Sequence, residues 1–237
     1  MRIAILSDIH GNIDAFHEVI KRLKEERIDV VFFLGDQLGY YYDAVDVFIE
    51  IKKWKHYIIA GNHERIFIKY LESDQGYKNK VIAKYGHCFS YYECEFSKNL
   101  VEEIKDFPDE KSVNIDGYKF LLCHGSSLDK DQYIYPNSEK GLLRKLDTTK
   151  YDVVFMGHTH YPMIHKTENN VMLINVGSVG QARTIGGIAN WGVFDTSNGV
   201  YSPQSTPYNI DLLEKFLIDK KEKEYLYKVL RRNNNTL

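Results

Sequence analysis

Apolar positions change period along this chain, and the changes divide it. Residues 2–6, RIAIL, form a short β-prone run. Residues 12–26 place Ile13, Phe16, Val19, Ile20 and Leu23 at helical spacing, with Asn12 in front as an N-cap. The unbroken apolar run DVVFFL (29–34) reads as a buried strand, residues 43–54 as a second amphipathic helix, and HYIIA (56–60) as a third strand. Strand, helix, strand, helix, strand predicts a parallel sheet buried on both faces.

Residues 65–112 break that rhythm. They are rich in Lys, Glu and Tyr and read as a mostly helical insertion. Strands resume at YKFLLC (118–123) and DVVFM (152–156), and β-prone segments follow closely at 162–167, 171–176, 189–195 and 199–201. Such short spacing predicts antiparallel hairpins. Residues 210–232 read as one charged amphipathic helix, and RRNNNTL at its end is expected to fray. The chain thus divides into a domain over 1–209, with 65–112 inserted in it, and a helical tail over 210–237.

Composition narrows the class. Apolar residues at 43% and charged residues at 27% are those of a soluble globular protein, and 237 residues suffice for one sizeable core. A net charge of −2 gives no field to attract nucleic acid or anionic membrane, so neither stable nucleic-acid binding nor membrane association is expected. The three cysteines, Cys88, Cys94 and Cys123, lack paired spacing, which argues against a disulfide framework and against a cysteine zinc site. The N-terminal apolar run is broken at Ser7 and Asp8, too early for a signal peptide, and no run reaches membrane-spanning length. A cytoplasmic location is expected.

The chemistry sits where the strands end. After 2–6 comes Asp8-Ile9-His10-Gly11-Asn12; after 29–34, Gly35-Asp36; after 56–60, Gly61-Asn62-His63-Glu64; after 118–123, His124-Gly125; after 152–156, Gly157-His158-Thr159-His160. The carboxyl ends of parallel strands face one crevice, so these clusters can converge. Asp8, Asp36, Asn62 and the histidines 10, 124, 158 and 160 offer oxygen and nitrogen donors that suit Mn²⁺, Fe, Zn²⁺ or Ni²⁺. Seven donors exceed the needs of one ion; two ions sharing a carboxylate would use them all, and such pairs clamp the oxygens of a phosphoryl displacement.

Taken singly, each cluster has a plainer reading. Asp8 or Asn12 before a helix is more often a cap, Gly35-Asp36 a turn, and His124 a satisfied buried histidine. His158-x-His160 alone divides evenly between ligand and loop. Jointly, five coincidences at five strand ends are needed, and five of the nine histidines fall in these clusters. The metal reading is therefore preferred.

Asp-x-His, Gly-Asp, Gly-Asn-His-Glu, His-Gly and Gly-His-Thr-His, in this order, resemble the calcineurin-like metallophosphoesterases over residues 1–200, and INVGSVGQAR (174–183) is similar to a segment of their small bacterial and archaeal phosphodiesterase and phosphatase members. The resemblance implies an α/β fold, a four-layer αββα sandwich of two mixed sheets, here with the helical insertion and a C-terminal helix. It implies that Asp8, His10 and His160 bind one divalent ion, Asn62, His124 and His158 a second, and that Asp36 bridges them, with Mn²⁺ as the first choice of metal. It further implies that His63 faces substrate and protonates the leaving oxygen, while a metal-bridging hydroxide attacks phosphorus in line.

Glu64 departs from the family's usual Asp, and Val176 and Ala182 stand where many relatives have Pro. Arg183 has the chemistry to grip a substrate phosphate and an equal case as an exposed structural arginine. Asn12 is a cap first and a substrate contact second. Tyr70, Tyr77, Tyr85, Tyr91 and Tyr92 in the insertion either pack it onto the core or stack on a base, if the insertion lines the cleft. The tail suits a sheet edge or a dimer contact, which leaves homo-oligomerisation open. The function expected is hydrolysis of a phosphorylated small molecule or nucleotide, by a phosphodiesterase or phosphatase. A dinucleoside-polyphosphate hydrolase and a phosphoprotein phosphatase are the alternatives within that class. A metal-bound scaffold is the non-enzyme alternative; it would be expected to lose motif residues that are all retained here.

Overall fold

The computed structural model describes residues 1–233. In chain order its elements are β1 (Arg2–Leu6), α1 (Ile13–Glu25), β2 (Val30–Phe33), α2 (Ala44–Ile51), β3 (His56–Ile58), the helices α3 (Asn62–Glu72), α4 (Gln75–Tyr85), α5 (Cys88–Glu95) and α6 (Lys98–Lys105), then β4 (Glu110–Ile115), β5 (Tyr118–Cys123), α7 (Lys140–Lys145), β6 (Val153–Met156), β7 (Met163–Lys166), β8 (Met172–Asn175), β9 (Ile188–Asp195), β10 (Val200–Pro207), α8 (Asp211–Asp219) and α9 (Glu224–Lys228). They form two five-stranded mixed sheets, in the orders β10-β9-β1-β2-β3 and β4-β5-β6-β8-β7. The strands β1, β2 and β3 are mutually parallel, as are β5, β6 and β8.

Alternation along each strand sets the layers. Ile3, Ile5, Val30 and Phe32 from the first sheet meet Phe120, Leu122, Val153 and Phe155 from the second in one buried cluster between the sheets. The intervening residues, Ala4, Leu6, Val31 and Phe33, face the helices packed outside the first sheet. Leu121, Cys123, Val154 and Met156 face Leu143 and Leu146 of a thinner outer layer around α7. Period-2 strands apolar on both faces can be satisfied only between two covering layers, and the result is an αββα sandwich. Among the described residues no helix is long and apolar enough to cross a membrane.

Three sequence expectations change. Residues 110–112, assigned to the insertion, belong to edge strand β4, while the helical run begins earlier, at Asn62. The strand expected at 199–201 extends to Pro207; Pro203 and Pro207 are tolerated because β10 pairs only with β9 and its other edge is free. The tail is not one helix. It breaks between α8 and α9, where Lys221 takes φ 56° and Glu222 turns inward, and a 3₁₀ turn over Val229–Arg231 follows. Part of the segment expected to fray, residues 234–237, lies outside the described residues. The hairpins β7–β8 and β9–β10 form as expected, although β8 also pairs in parallel with β6.

The inward turn at Glu222 ties the tail to the rest. Its carboxylate accepts hydrogen bonds from the Tyr42 hydroxyl and from the His87 backbone N–H at 3.0 Å, and lies 2.9 Å from His87 Nδ1. Burial pushes this carboxyl up, but the Tyr42 and His87 bonds outweigh it, and the net direction is down. A depressed carboxyl adds stability above the ordinary glutamate value and loses it as pH falls through the folded value. Glu222→Gln is expected to cost about 1–2 kcal/mol at neutral pH. The gap from wild type should close in acid, as read by thermal unfolding over a pH series.

Candidate metal centre

Backbone bonds hold the turns after β1 and β2 together, Asp8 N–H to Gly35 O (3.0 Å) and His10 N–H to Asp36 O (2.9 Å), and those after β5 and β6, Gly157 N–H to His124 O (3.0 Å). His158 N–H donates to Asp8 Oδ2 at 3.0 Å and so joins the two sheets at this edge. Within these turns Asp8, His10, Asp36, His158 and His160 all have positive φ, between 54° and 68°. Left-handed backbone at non-glycine residues costs free energy, typically about 1–3 kcal/mol each, and persists where surrounding structure enforces it. Here that conformation aims five side chains into one buried space.

Three groups of ligand atoms lie within 4.8 Å of one another: Asp8, His10 and His160; Asp36, His124 and His158; and His10, Asp36 and His63. His10 Nδ1 faces Leu38 O (3.3 Å), His124 Nδ1 faces Leu34 O (2.7 Å) and His160 Nδ1 faces Gln181 O (2.7 Å). A carbonyl only accepts, so each Nδ1 carries a proton and each Nε2 points inward. His158 is turned the other way: its Nε2 lies 3.2 Å from Asp131 O, which leaves Nδ1 as the free donor.

The inward atoms crowd without satisfying one another. His10 Nε2 and His160 Nε2 are 3.0 Å apart, two lone pairs face to face, and Asp8 Oδ1 is buried with no hydrogen-bond partner among the described residues. His160 Nε2 lies 3.2 Å from Asp8 Oδ1, His124 Nε2 lies 3.2 Å from Asp36 Oδ2, and Asn62 Oδ1 is 3.2 Å from His124 Nε2. Histidine nitrogens and carboxylate oxygens packed this way suit cations between them. The protonation preferences agree. Burial lowers His10, and His63 adds to that. Burial also lowers His124, but Asp36 outweighs it and pushes the ring up to about 9. The carboxylate field thus calls for positive charge where a cation would sit. The residues fit a pair of divalent ions.

Glu64 supports the cluster from below. Its carboxylate accepts from the N–H groups of Asp36, Gln37 and Gly61 at 2.8 Å and of Leu38 at 3.3 Å. It therefore clamps the Asp36 turn to the start of α3. Burial and the Asp36 carboxylate push it up to about 7 against those bonds. A Cβ at Gly61 would overlap Asp36 Oδ1, so this position must be glycine. His63 follows at the N-terminus of α3: its backbone N–H donates to Asp36 Oδ1 at 2.7 Å, and its ring Nδ1 is buried without a hydrogen-bond partner among the described residues. Burial holds this ring down, at about 4.

Asn12 is spent on structure. Its Oδ1 caps α1 through Ala15 N–H (3.1 Å), and its Nδ2 donates to Gly180 O (2.8 Å) and the Tyr208 hydroxyl (3.2 Å). Arg183 lies outside the cluster and lines a neighbouring cavity with Tyr40 and Gln181. Of the insertion tyrosines, Tyr70 and Tyr92 are core and Tyr91 packs on Tyr42, whereas Tyr77 and Tyr85 line a second cavity with Asn62 and His158. Sequence reading missed three neighbours. Tyr40 has its ring 4.6 Å from those of His10 and His63, Tyr133 stacks 4.0 Å from His158, and Gln181 orients His160 through its carbonyl. Tyr40 left a signal in the GDQLGYYY run around Asp36, and Gln181 lies in the INVGSVGQAR segment; Tyr133 left none.

The sandwich, the converging turns and the buried histidine–carboxylate cluster are those of a metal-dependent phosphoester hydrolase. Residues 1–199 match the calcineurin-like phosphoesterase superfamily domain, and the chain belongs to that superfamily. A phosphodiesterase of Methanocaldococcus jannaschii is 27% identical over 207 residues, covering 85% of this chain and 96% of its own. The fold is shared with a hypothetical protein from Pyrococcus horikoshii (TM-score 0.81, 18% identity, 99% of each chain). It is also shared with a metallophosphoesterase from Sphaerobacter thermophilus (TM-score 0.79, 21% identity, 97% of this chain and 98% of that one).

Glu64→Ala leaves four buried N–H groups without an acceptor. It is expected to destabilise the protein by roughly 4 kcal/mol or more, since each unpaired buried donor costs about 1–3 kcal/mol. Denaturant unfolding measures this; a loss below about 1 kcal/mol would mean that water replaces the clamp.

Proposed function

We propose that this chain hydrolyses phosphodiester or phosphoanhydride substrates with two divalent ions, held by Asp8, His10 and His160 and by Asn62, His124 and His158, with Asp36 between them. The observation that carries the reading is the buried cluster itself, in which histidine nitrogens and carboxylate oxygens converge and Asp8 Oδ1 has no hydrogen-bond partner among the described residues. When bound, the ions would supply Lewis-acid stabilisation of the phosphoryl oxygens and lower the pKa of water for attack on phosphorus. The donor set suits Mn²⁺ as well as Fe, Zn²⁺ or Ni²⁺.

The chain's own groups orient and protonate. His63 sits on α3 beside Asp36, packed by Tyr40, Tyr85 and Phe89 at ring distances of 4.6, 4.9 and 5.8 Å. That packing fixes the ring so that it can hold a phosphoryl oxygen and, once the anionic phosphate beside it raises its pKa, pass a proton to the leaving oxygen. Two cavities adjoin the cluster, one bounded by Tyr40 and Gln181 and one by Asn62 and His158. Room on both accounts supports a phosphorus with two substituents over a monoester, and the name of the archaeal phosphodiesterase relative agrees.

Chelator stripping should abolish hydrolysis of bis(4-nitrophenyl) phosphate, and reloading with Mn²⁺ should restore it with about two ions per chain by elemental analysis. Asp36→Asn should lower that metal content. His63→Ala should retain the metals and lose about 10²–10⁴-fold in kcat, the span of a general acid. Metal-independent hydrolysis, or a reloaded protein without bound metal, would sink the reading.

A further inference from the structure

The larger cavity beside the cluster measures about 1210 Å³, far more than a phosphoryl group fills. Its inner wall is the site's own support: Tyr40 packs on His10 and His63, and Gln181 holds His160. Its outer wall is the C-terminal segment, with Tyr225, Lys228 and Arg232.

That outer wall is built in. Tyr41 hydroxyl donates to Leu226 O at 3.1 Å, and Tyr225 hydroxyl donates to Lys84 O at 2.8 Å. Beyond the 3₁₀ turn, Gly186 N–H donates to Arg232 O (2.7 Å), Arg232 Nη1 to Arg183 O (3.3 Å) and Asn233 Nδ2 to Thr184 O (2.8 Å). A side chain at residue 186 would collide with the Leu230 carbonyl, so the glycine lets the segment lie flat on this loop. These bonds bring chain from position 225 onward against the mouth of a site whose ligands come from positions 8 to 160.

The lining has a definite chemistry. Arg183, Lys228 and Arg232 supply three cations against one carboxylate, Glu224, which pairs with Lys228 at 2.8 Å. The Arg183 guanidinium has no carboxylate partner among the described residues and acts electrostatically on the Tyr40, Tyr133 and Tyr225 hydroxyls, which puts it at the junction of the cluster and the cavity. Tyr40, Tyr135, Tyr161 and Tyr225 add aromatic surface. Tyr135 packs against Tyr161 at 5.8 Å and Tyr40 against Tyr225 at 6.4 Å. Cations within aromatic walls suit a ligand that is both planar and polyanionic.

We propose that this cavity is a subsite for the nucleotide arm of the substrate, with Arg183, Lys228 and Arg232 receiving a phosphate other than the one cleaved and the tyrosines receiving the base. The proposal rests on the phosphoesterase reading above and makes the C-terminal segment a specificity element. The preferred substrate is then a nucleoside polyphosphate ester or anhydride, and a simple diester lacks the second anion that the cavity is built to hold.

The test has two readouts. Calorimetry with ADP on chelator-treated full-length protein reads the subsite without metal catalysis. Wild type should bind, pyrophosphate should compete less well than ADP, and Lys228→Glu and Arg232→Gln should each weaken binding about tenfold or more, with unchanged unfolding temperatures. On Mn²⁺-loaded protein, the ratio of kcat/KM for a dinucleoside polyphosphate to that for bis(4-nitrophenyl) phosphate should fall by a similar factor in both variants. Absence of ADP binding, binding that both variants leave intact, or pyrophosphate competing as well as ADP would overturn the nucleotide subsite. ADP binding sensitive to the variants with no hydrolysis of either substrate would uphold the subsite and sink the phosphoesterase reading instead.

Discussion

Two buried carboxylates, Asp8 and Asp36, set the terms for this molecule. Both are almost wholly shielded from water, and histidine nitrogens press on them without neutralising them. Burial raises the pKa of each, yet the surrounding histidines outweigh it and keep both ionised: His160 acts on Asp8, His124 and His63 on Asp36. Negative charge so placed is stable only where positive charge can join it. The left-handed turns, the Glu64 clamp and the carbonyls behind three histidine rings all serve to hold that charge in position before any cation arrives.

The clamp explains how strained turns survive. One carboxylate collects four backbone N–H groups from two different loops, and Gly61 lets Asp36 come close enough for this. The strain in the Asp36 turn is thereby tied to the start of α3, the helix that carries His63. Geometry at the cluster and orientation of the proposed acid are one mechanical unit. The same economy appears at the tail, where Glu222 joins the loop before α2, the helical run and the C-terminal segment through Tyr42 and His87.

Much of the site was legible in the residues. Period-2 apolar runs ending in Gly-Asp, Gly-Asn-His and Gly-His-x-His carried the strand assignments and the donor types together, because parallel strands must end on one side. The helical cap at Asn12 was legible for the same local reason and proved to use both ends of its amide. Tyr133 was not legible: it sits in no pattern and matters only because a distant loop lands on a histidine ring. Gln181 lies within the quoted segment INVGSVGQAR, but its contact with His160 is made by a backbone carbonyl and could not be read from its side chain. Glu64 was visible as a departure, but its partners, spread over residues 36–61, could not be read from its own neighbourhood.

The sequence by itself determined which atoms are available to bind cations, which strands carry them and that both faces of each sheet must be covered; these follow from side-chain chemistry and backbone period, which are local. Only the tertiary structure decided which nitrogen of each histidine faces inward, because that depends on carbonyls brought from elsewhere in the chain. It also decided where the tail goes. Charged helical periodicity is the same for a helix on a sheet edge, at a dimer contact or over a cleft. The choice fell to the break at Lys221, the buried Glu222 and the backbone bonds at Gly186 that fold the segment back beside Tyr40 and Arg183.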